Sequence, residues 1–525
     1  MLSRQDRVYE SFLINAVFVV KIYTTIFCRK YNICIIIIVG EKSENLLLCK
    51  RCTVERDGLM EENKSNNLLI ILVLGLAALI GCMNVTLFNV ALPAMMIYFN
   101  TDVTTIKWLV SGYTLAAGII TPAVGFLGDK FGYKRVICFI SFMVLVLSIV
   151  GIFAWCIEVL IVVRVLFGLT AGMLTPLSLA MMYQCVPRHS QEQAAGIWGA
   201  ACIVGGATPS VLAGFAVMYA SWHMMLLLML PFAALLLVGS IKFLPEKATT
   251  DSLAMDFTGF ALTSIGSFIL LFSFSNLSNW GVSAKLLVFI CLGLFIMGAY
   301  AKRSWNKKDA MLSLYVLRYP RYVAALFADA MNVIGLQMIV FVLPLFLQNG
   351  MGISAALTGT ILLPVSLVTI LATPFATKVL TSHGEKTLAI VGVLFLFAGS
   401  AVFLNISPKL SVPVIMIAMC VRSFGMAFLK LMATNTCMAA VPPELSGHAS
   451  ALRTWMEQML TALVVSMAST IISIRLIASG AQTIADVASV YRTSTELLFT
   501  ISCVTLFCII PIALKYFRGK NEMKR

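Results

Sequence analysis

Charged residues are scarce in this sequence: Lys, Arg, Asp and Glu together make up 12% of its 525 residues, whereas 60% are hydrophobic. A soluble globular protein has about twice that share of charge, so the composition excludes this class. The apolar residues form blocks of roughly 18–25 residues, the length at which a helix crosses a bilayer. Strands of a membrane β-barrel are about half as long. The sequence therefore predicts an all-α, polytopic membrane protein.

Motifs for nucleotide use and for catalysis are also missing. The chain has no phosphate-binding Gly-x-x-x-x-Gly-Lys-Ser/Thr loop and no paired-carboxylate, metal-ligand or nucleophile–base spacing. Cys49 and Cys52 form a CxxC pair without the second pair that a structural metal site needs. We therefore expect a protein that is not an enzyme, uses no ATP, and has no cofactor and no metal site.

Fourteen apolar blocks follow residue 67, and each is long enough to be a membrane-spanning helix. The predicted spans lie near 68–90, 104–127, 136–155, 158–184, 194–217, 222–244, 257–276, 284–301, 321–347, 354–378, 387–405, 411–438, 447–475 and 494–515.

Basic residues alternate between these blocks in a way that predicts topology. The net charge is +15, and this excess indicates basic cytoplasmic loops rather than nucleic-acid binding. With the segment before residue 68 inside, nineteen Lys and Arg residues fall in inner loops and the C-terminal tail, and five in outer loops. The bias predicts that both termini of an inner (plasma) membrane protein are cytoplasmic.

Residues 1–59 do not fit this pattern. Lys21 interrupts their first apolar stretch, near 11–28, and the second stretch, near 33–40, is too short to span the membrane. Met60 opens a polar run directly before the first span. One hypothesis is that Met60 is the true start and 1–59 is upstream sequence. The alternative is an amphipathic segment on the membrane surface.

Several landmarks occur twice in the same order, about 250 residues apart, as in transporters built from parallel repeats. Pro122 and Gly132 recur as Pro374 and Gly384, and Arg164 recurs as Arg422. The predicted domains are 60–245, a six-helix bundle; 246–310, two additional helices; 311–517, a second six-helix bundle; and 518–525, a cytoplasmic tail.

The segment from 125 to 135 is a glycine-punctuated turn with charges of both signs between two predicted spans. It resembles the loop motif between helices two and three of the major facilitator superfamily. The matching residues are Gly125, Gly128, Asp129, Gly132, Lys134 and Arg135. The fourteen spans, the Asn89-Val90-Ala91-Leu92-Pro93 run and Arg164 with Gly168 resemble its fourteen-spanner drug/proton antiporter branch. The resemblance covers about 60–515.

This resemblance implies two bundles that rock about a central site, with inward proton flow driving export of a hydrophobic compound, and it implies that the 125–135 loop gates the inner face. The chain departs from the branch pattern at functional positions. Asn84 stands where the branch has an aspartate, and the helix-five motif is reduced to Gly205, Pro209 and Gly214. Both departures weaken the expectation of proton coupling.

Charged residues inside predicted spans are the candidates for coupling, because a charge at the bilayer centre costs on the order of 2.5–3.5 kcal/mol. Arg164 and Asp329 are predicted to handle protons. The alternatives are a structural hydrogen bond for Arg164, to backbone or Asn84, and an ion pair with a neighbouring helix for Asp329. Arg453 and Glu457 are spaced i,i+4 and are predicted to pair.

Further polar residues are candidates for the substrate cavity: Asn84, Asn89, Asn332, Arg422 and Lys430. Arg422 and Lys430 favour anionic or neutral cargo if they face the cavity; alternatively, they balance the charges of Asp329 and Glu457.

The predicted function is proton-coupled export of a small hydrophobic or amphipathic molecule by a monomer in the lipid bilayer, without nucleic acid as a partner. One alternative is a facilitator or exporter of a neutral or anionic metabolite that does not use protons. Another is a membrane sensor or scaffold that does not transport.

Overall fold

The structure is a computed structural model. It describes residues 67–85, 88, 92–101, 103–106, 108–219, 222–246, 256–281, 283–305, 310–353, 355–404, 411–479 and 484–517. The predictions for residues 1–59, Met60, Asn89 and the tail from 518 lie outside these residues.

The regular elements of the described part are helices, as expected for apolar segments that must satisfy their own backbone hydrogen bonds in lipid. We number the long helical segments α1 Asn67–Val85, α2 Trp108–Phe131, α3 Tyr133–Ile152, α4 Ile157–Cys185, α5 Gln191–Tyr219, α6 His223–Phe243, α7 Phe257–Ser275, α8 Ala284–Ser304, α9 Pro320–Leu345, α10 Ala355–His383, α11 Glu385–Ala401, α12 Val412–Ala439, α13 Ser446–Ser479 and α14 Ile484–Phe507. A short helix, Ile509–Tyr516, follows α14.

Eleven helices of the described residues are long and apolar enough to cross a membrane. Three further segments, α5, α10 and α11, coincide with the remaining predicted spans, and α11 has 17 residues. The all-α membrane class is therefore confirmed, whereas the count of fourteen spans remains a prediction.

The connection between α2 and α3 is shorter than the sequence predicts. Residues Val124–Phe131 are helical, so most of the expected turn belongs to the last two turns of α2. Gly132 alone reverses the chain, with a φ of 87°, a backbone conformation that favours glycine. Gly384 joins α10 to α11 with a φ of 89°, so the second half repeats the same one-residue turn.

Helices pack in pairs within each predicted half of the chain and also between the halves. In the first half α2 packs on α4 and α3 on α6; in the second, α9 packs on α12, α13 and α14. Contacts between the halves run along α2–α13, α4–α13 and α5–α10. Both halves therefore contribute residues to one common interface.

The helices between the two halves are more than a linker. Helix α7 contacts α2 and α13 as well as α8. The Trp455 indole N–H on α13 donates to the Ser267 hydroxyl on α7 at 2.8 Å, and Leu271 of α7 joins the apolar cluster of Leu115 and Met459. Helix α7 thereby lies beside the line where α2 meets α13.

Candidate functional site: an interhelical gate and a buried ring of charges

The one-residue turn at Gly132 lies against the N-terminal end of α13. A Cβ atom at Gly125 would lie 2.7 Å from the His448 backbone nitrogen, so only glycine allows this close approach. At Gly128 a Cβ atom would lie 2.6 Å from the Tyr133 ring. These glycines are therefore required by helix contact, while Gly132 is required by its backbone angle.

Asp129 links the two halves at this contact. Its carboxylate accepts a hydrogen bond from the Tyr133 hydroxyl at 2.9 Å and lies 3.6 Å from His448 Nε2. His448 Nδ1 accepts from the Ser313 backbone N–H at 3.3 Å, so the imidazole connects α2, α13 and the segment before α9. Sequence reasoning named Asp129 but missed His448, because nothing in the sequence indicates which helix meets the turn.

Two of the predicted gating residues are peripheral. Lys134 is half-buried and Arg135 is exposed at the start of α3. Tyr133 and His448 both lie within contact distance of the Asp129 carboxylate, so the role predicted for Lys134 and Arg135 beside it remains a prediction.

Polar contacts between α4 and the second half close the same end of the molecule. The Tyr183 hydroxyl donates to the Asn435 side chain at 2.9 Å, and Gln184 donates to the Ser446 hydroxyl at 2.9 Å. The Ser450 hydroxyl donates to the Pro176 carbonyl at 2.8 Å. Together with Asp129–His448, these contacts join the halves at the end where the Gly132 turn lies; we call this end the gate.

Arg164 is fully buried in α4 and is held by backbone rather than by an acid. Its Nε donates to the Leu109 carbonyl at 2.9 Å and one Nη to the Asn84 carbonyl at 3.2 Å. The guanidinium lies over the rings of Phe88 and Tyr113, 4.1 and 4.6 Å from their centroids. These contacts agree with the alternative prediction, in which Arg164 makes structural hydrogen bonds. The acceptor on Asn84 is its main-chain carbonyl.

Arg422 occupies the corresponding place in the second half. It donates to the Gly335 carbonyl of α9 at 2.8 Å and to the Ser400 hydroxyl of α11 at 3.0 Å. In each half, therefore, a buried arginine binds a carbonyl of that half's first helix. Arg422 was predicted, as one alternative, to balance the charge of Asp329 or Glu457. The acceptors in these contacts are instead a carbonyl and a hydroxyl oxygen.

Four charged side chains of the second half form a closed ring in which acids and bases alternate. Arg453 Nε lies 2.9 Å from Asp329, and Arg453 Nη lies 2.5 Å from Glu457. Lys430 Nζ lies 2.6 Å from Glu457 and 3.7 Å from Asp329. We call this set, which joins α9, α12 and α13, the charge ring. Its formal charges sum to zero.

Exposure divides the charge ring into two edges. Asp329 and Arg453 are buried, with side chains 0% and 2% exposed, whereas Lys430 and Glu457 are 36% and 24% exposed. Cys82 on α1 is within electrostatic range of Lys430 and Glu457, and Cys202 on α5 is within range of Lys430 and Arg453. Helix α12, which carries Lys430, also contacts α5, so the exposed edge of the ring lies on the side of the first half.

The remaining predicted residues are distributed around this interface. The Asn84 side chain donates to the Ile80 carbonyl of its own helix at 3.1 Å. Asn332 is buried one turn from Asp329, and its amide nitrogen has no hydrogen-bond partner among the described residues. Gly205 lies against the Leu79 backbone, where a Cβ atom would approach Leu79 Cα to 2.9 Å. Pro209 and Gly214 lie on α5.

Bundled apolar helices with two pseudo-equivalent arginines, an interhelical gate and a buried charge ring describe a helical membrane transporter. The major facilitator superfamily model matches residues 74–466. The chain therefore belongs to the major facilitator superfamily, whose members are membrane transporters and not enzymes.

Curated relatives include efflux proteins. The lincomycin resistance protein LmrB of Listeria monocytogenes is 24% identical over 400 residues, with 76% of this chain and 85% of that protein covered. The multidrug efflux pump LfrA of Mycolicibacterium smegmatis is 25% identical over 381 residues, with 72% and 76% covered. The similarity to the drug-efflux branch that the sequence indicates is therefore confirmed.

Solved structures show the same fold. The human organic anion transporter MFSD10 superposes with a TM-score of 0.58 at 16% identity, covering 84% of this chain and 99% of that one. The proton:xylose symporter XylE superposes with a TM-score of 0.56 at 14% identity, covering 88% and 99%.

Proposed function

We propose that this protein exports a hydrophobic or amphipathic small molecule in exchange for protons, by alternating access between its two halves. The observation that most directly supports proton coupling is the charge ring. Its two carboxylates contact basic partners on α12 and α13, and Asp329 is fully buried. A carboxylate inside an apolar bundle changes its contacts when it takes a proton, because a neutral acid no longer attracts its basic neighbours.

The proposed movement of the two halves is based on the positions of the gate and the charge ring. The gate contacts of Asp129, Gln184 and Ser450 hold the halves together at one end. The charge ring lies on α9, α12 and α13 and faces α1 and α5, so cargo at the ring contacts both halves. We propose that breaking the gate contacts exposes the ring to the side of the membrane on which the gate lies.

The positive-inside pattern supports a cytoplasmic position for the gate and for both termini in the plasma (inner) membrane. We propose that the transporting unit is a monomer in the lipid bilayer, that it uses the proton gradient, and that it does not use ATP or nucleic acid.

A test of the coupling is Asp329→Asn combined with Lys430→Met, which removes one acid and one base and leaves the ring neutral. We expect efflux from proteoliposomes to become independent of the imposed pH gradient, because Asp329, the buried acid proposed to carry the proton, is absent and Glu457 keeps its ion pair with Arg453. The measurement is efflux of a labelled amphipathic dye with and without the gradient.

Asp256→Asn is the control, because Asp256 pairs with Arg303 outside the spans and removing its charge leaves the charge ring intact. Gradient-dependent efflux that survives in the Asp329→Asn/Lys430→Met protein would show that the proton site lies elsewhere.

A second candidate function is export of an anionic or neutral compound without proton coupling. It is favoured by Arg164 and Arg422, which add two positive charges to a neutral ring and bind carbonyl and hydroxyl oxygens rather than carboxylates. Efflux that follows the membrane potential and ignores the pH gradient in the unaltered protein would support it.

A further inference from the structure

The exposed edge of the charge ring carries one charge of each sign, and this restricts which ligands can bind there. It presents one ammonium group, Lys430, and one carboxylate, Glu457, whose nitrogen and oxygen lie 2.6 Å apart. The other edge, Asp329 with Arg453, is buried. The interface therefore meets a cation and an anion side by side rather than a patch of one sign.

The ring can open at this edge without leaving a charge unpaired. When Lys430 and Glu457 separate, Lys430 keeps Asp329 at 3.7 Å and Glu457 keeps Arg453 at 2.5 Å. This property matters because a charge without a counterion in an apolar interior is strongly unfavourable. A single ion pair in the same position would lack these second partners.

The charge of an incoming ligand determines whether the opened ring stays neutral. A cation placed on Glu457 adds one positive charge to the site, and an anion placed on Lys430 adds one negative charge. A ligand with both groups places its carboxylate on Lys430 and its ammonium on Glu457, and the sum of charges is unchanged. Electrostatic complementarity therefore favours a ligand with both charges.

From this geometry we infer that the Lys430–Glu457 edge is the polar subsite for a zwitterionic amphipath, a molecule with one ammonium and one carboxylate on an apolar body. The inference rests on the proposed function, since it names the cargo class of that transport site.

The test uses three probes with the same alkyl chain and permanent charges: the zwitterion N,N-dimethyl-N-octylglycine, the cation octyltrimethylammonium and the anion octanesulfonate. Equilibrium binding of each labelled probe is measured on the full-length protein in lipid nanodiscs. We expect the zwitterion to bind at least about tenfold more tightly than either singly charged probe, a difference of roughly 1.4 kcal/mol.

Variants test the contributions of Lys430 and Glu457 to the subsite separately. Lys430→Met should remove the preference for the zwitterion over the cation, and Glu457→Gln should remove the preference over the anion. The double variant Lys430→Met/Glu457→Gln, in which Asp329 and Arg453 still pair, should bind the three probes within about threefold of one another. Arg492→Met/Glu496→Gln is the matched control, because this i,i+4 pair lies outside the charge ring.

The outcomes distinguish this inference from the proposed function. Absence of a preference for the zwitterion in the unaltered protein overturns the inference, and so does a preference that survives in a double variant with an unaltered melting temperature. Efflux driven by the pH gradient is measured separately on the same preparations. If it persists while the zwitterion preference is absent, the cargo class is wrong and the exchange function stands.

Discussion

Gly132 shows what a single residue determines here. One residue joins α2 to α3, and its φ of 87° lies in the left-handed region where a side chain is strained. The glycine is therefore fixed by backbone geometry, independently of any substrate.

Gly132→Ala should lower the stability of the protein by about 1 kcal/mol or more, because alanine does not adopt this conformation without strain. The measurement is the melting temperature in detergent. Gly199→Ala is the matched control, since a Cβ atom at Gly199 meets nothing within 4 Å. An equal effect of the two substitutions would show that the turn is not strained by a side chain.

At the scale of an element, the start of α7 depends on Asp256. Its carboxylate accepts the Gly259 backbone N–H at 3.0 Å and the Arg303 guanidinium at 2.9 Å. Burial by itself would raise the pKa of this carboxyl, but the bonds from Gly259 and Arg303 hold the pKa below its usual value. Asp256 therefore caps α7 and also ties it to the end of α8.

Asp256→Ala should destabilise the protein by about 1 kcal/mol, the usual cost of losing a helix N-cap. Asp256→Asn keeps a capping oxygen and removes only the charge, so its effect should be smaller. Thermal unfolding of both variants at pH 7 measures the difference.

The charge contribution of Asp256 should depend on pH with a defined sign. Because the pKa is lower in the folded protein, the stabilisation is present above the unfolded value, about 3.9, and is lost as the pH falls through the folded value. The stability difference between the unaltered protein and Asp256→Asn should shrink below about pH 4. A difference that grows with acid would contradict this assignment.

At the scale of the whole molecule, the gate depends on the close contact of Gly125 with the backbone at Gly447 and His448. A methyl group there meets main-chain atoms, which cannot move away as a side-chain end can. Such a clash acts on the contact between halves rather than on either half alone.

Gly125→Ala should therefore shift the protein toward conformations with an open gate. We expect a cysteine introduced at Gln184, on the α4 side of the gate, to react faster with a water-soluble maleimide in this background, by roughly fivefold or more for about 1 kcal/mol of destabilisation. Gly298→Ala is the control, because a Cβ atom there meets nothing within 4 Å. Unchanged reactivity would mean that the contact does not hold the gate.

Several site residues were predictable from sequence because their signals are local. The glycines at 128 and 132 and the i,i+4 pair Arg453–Glu457 follow from spacing along the chain. Lys430 and Asp329 lie about 100 residues apart in sequence, so their pairing depends on how α9 packs against α12. For the same reason His448 was not predicted as the partner of Asp129.

The sequence by itself determined the membrane class and the family, because apolar length and the 125–135 motif are properties of contiguous residues. Only the tertiary structure decided which charges meet. It placed the arginines at 164 and 422 against carbonyl oxygens and gathered Asp329, Lys430, Arg453 and Glu457 into one neutral ring. The physical reason is that a buried charge needs a nearby partner, and helix packing alone determines which partner is near.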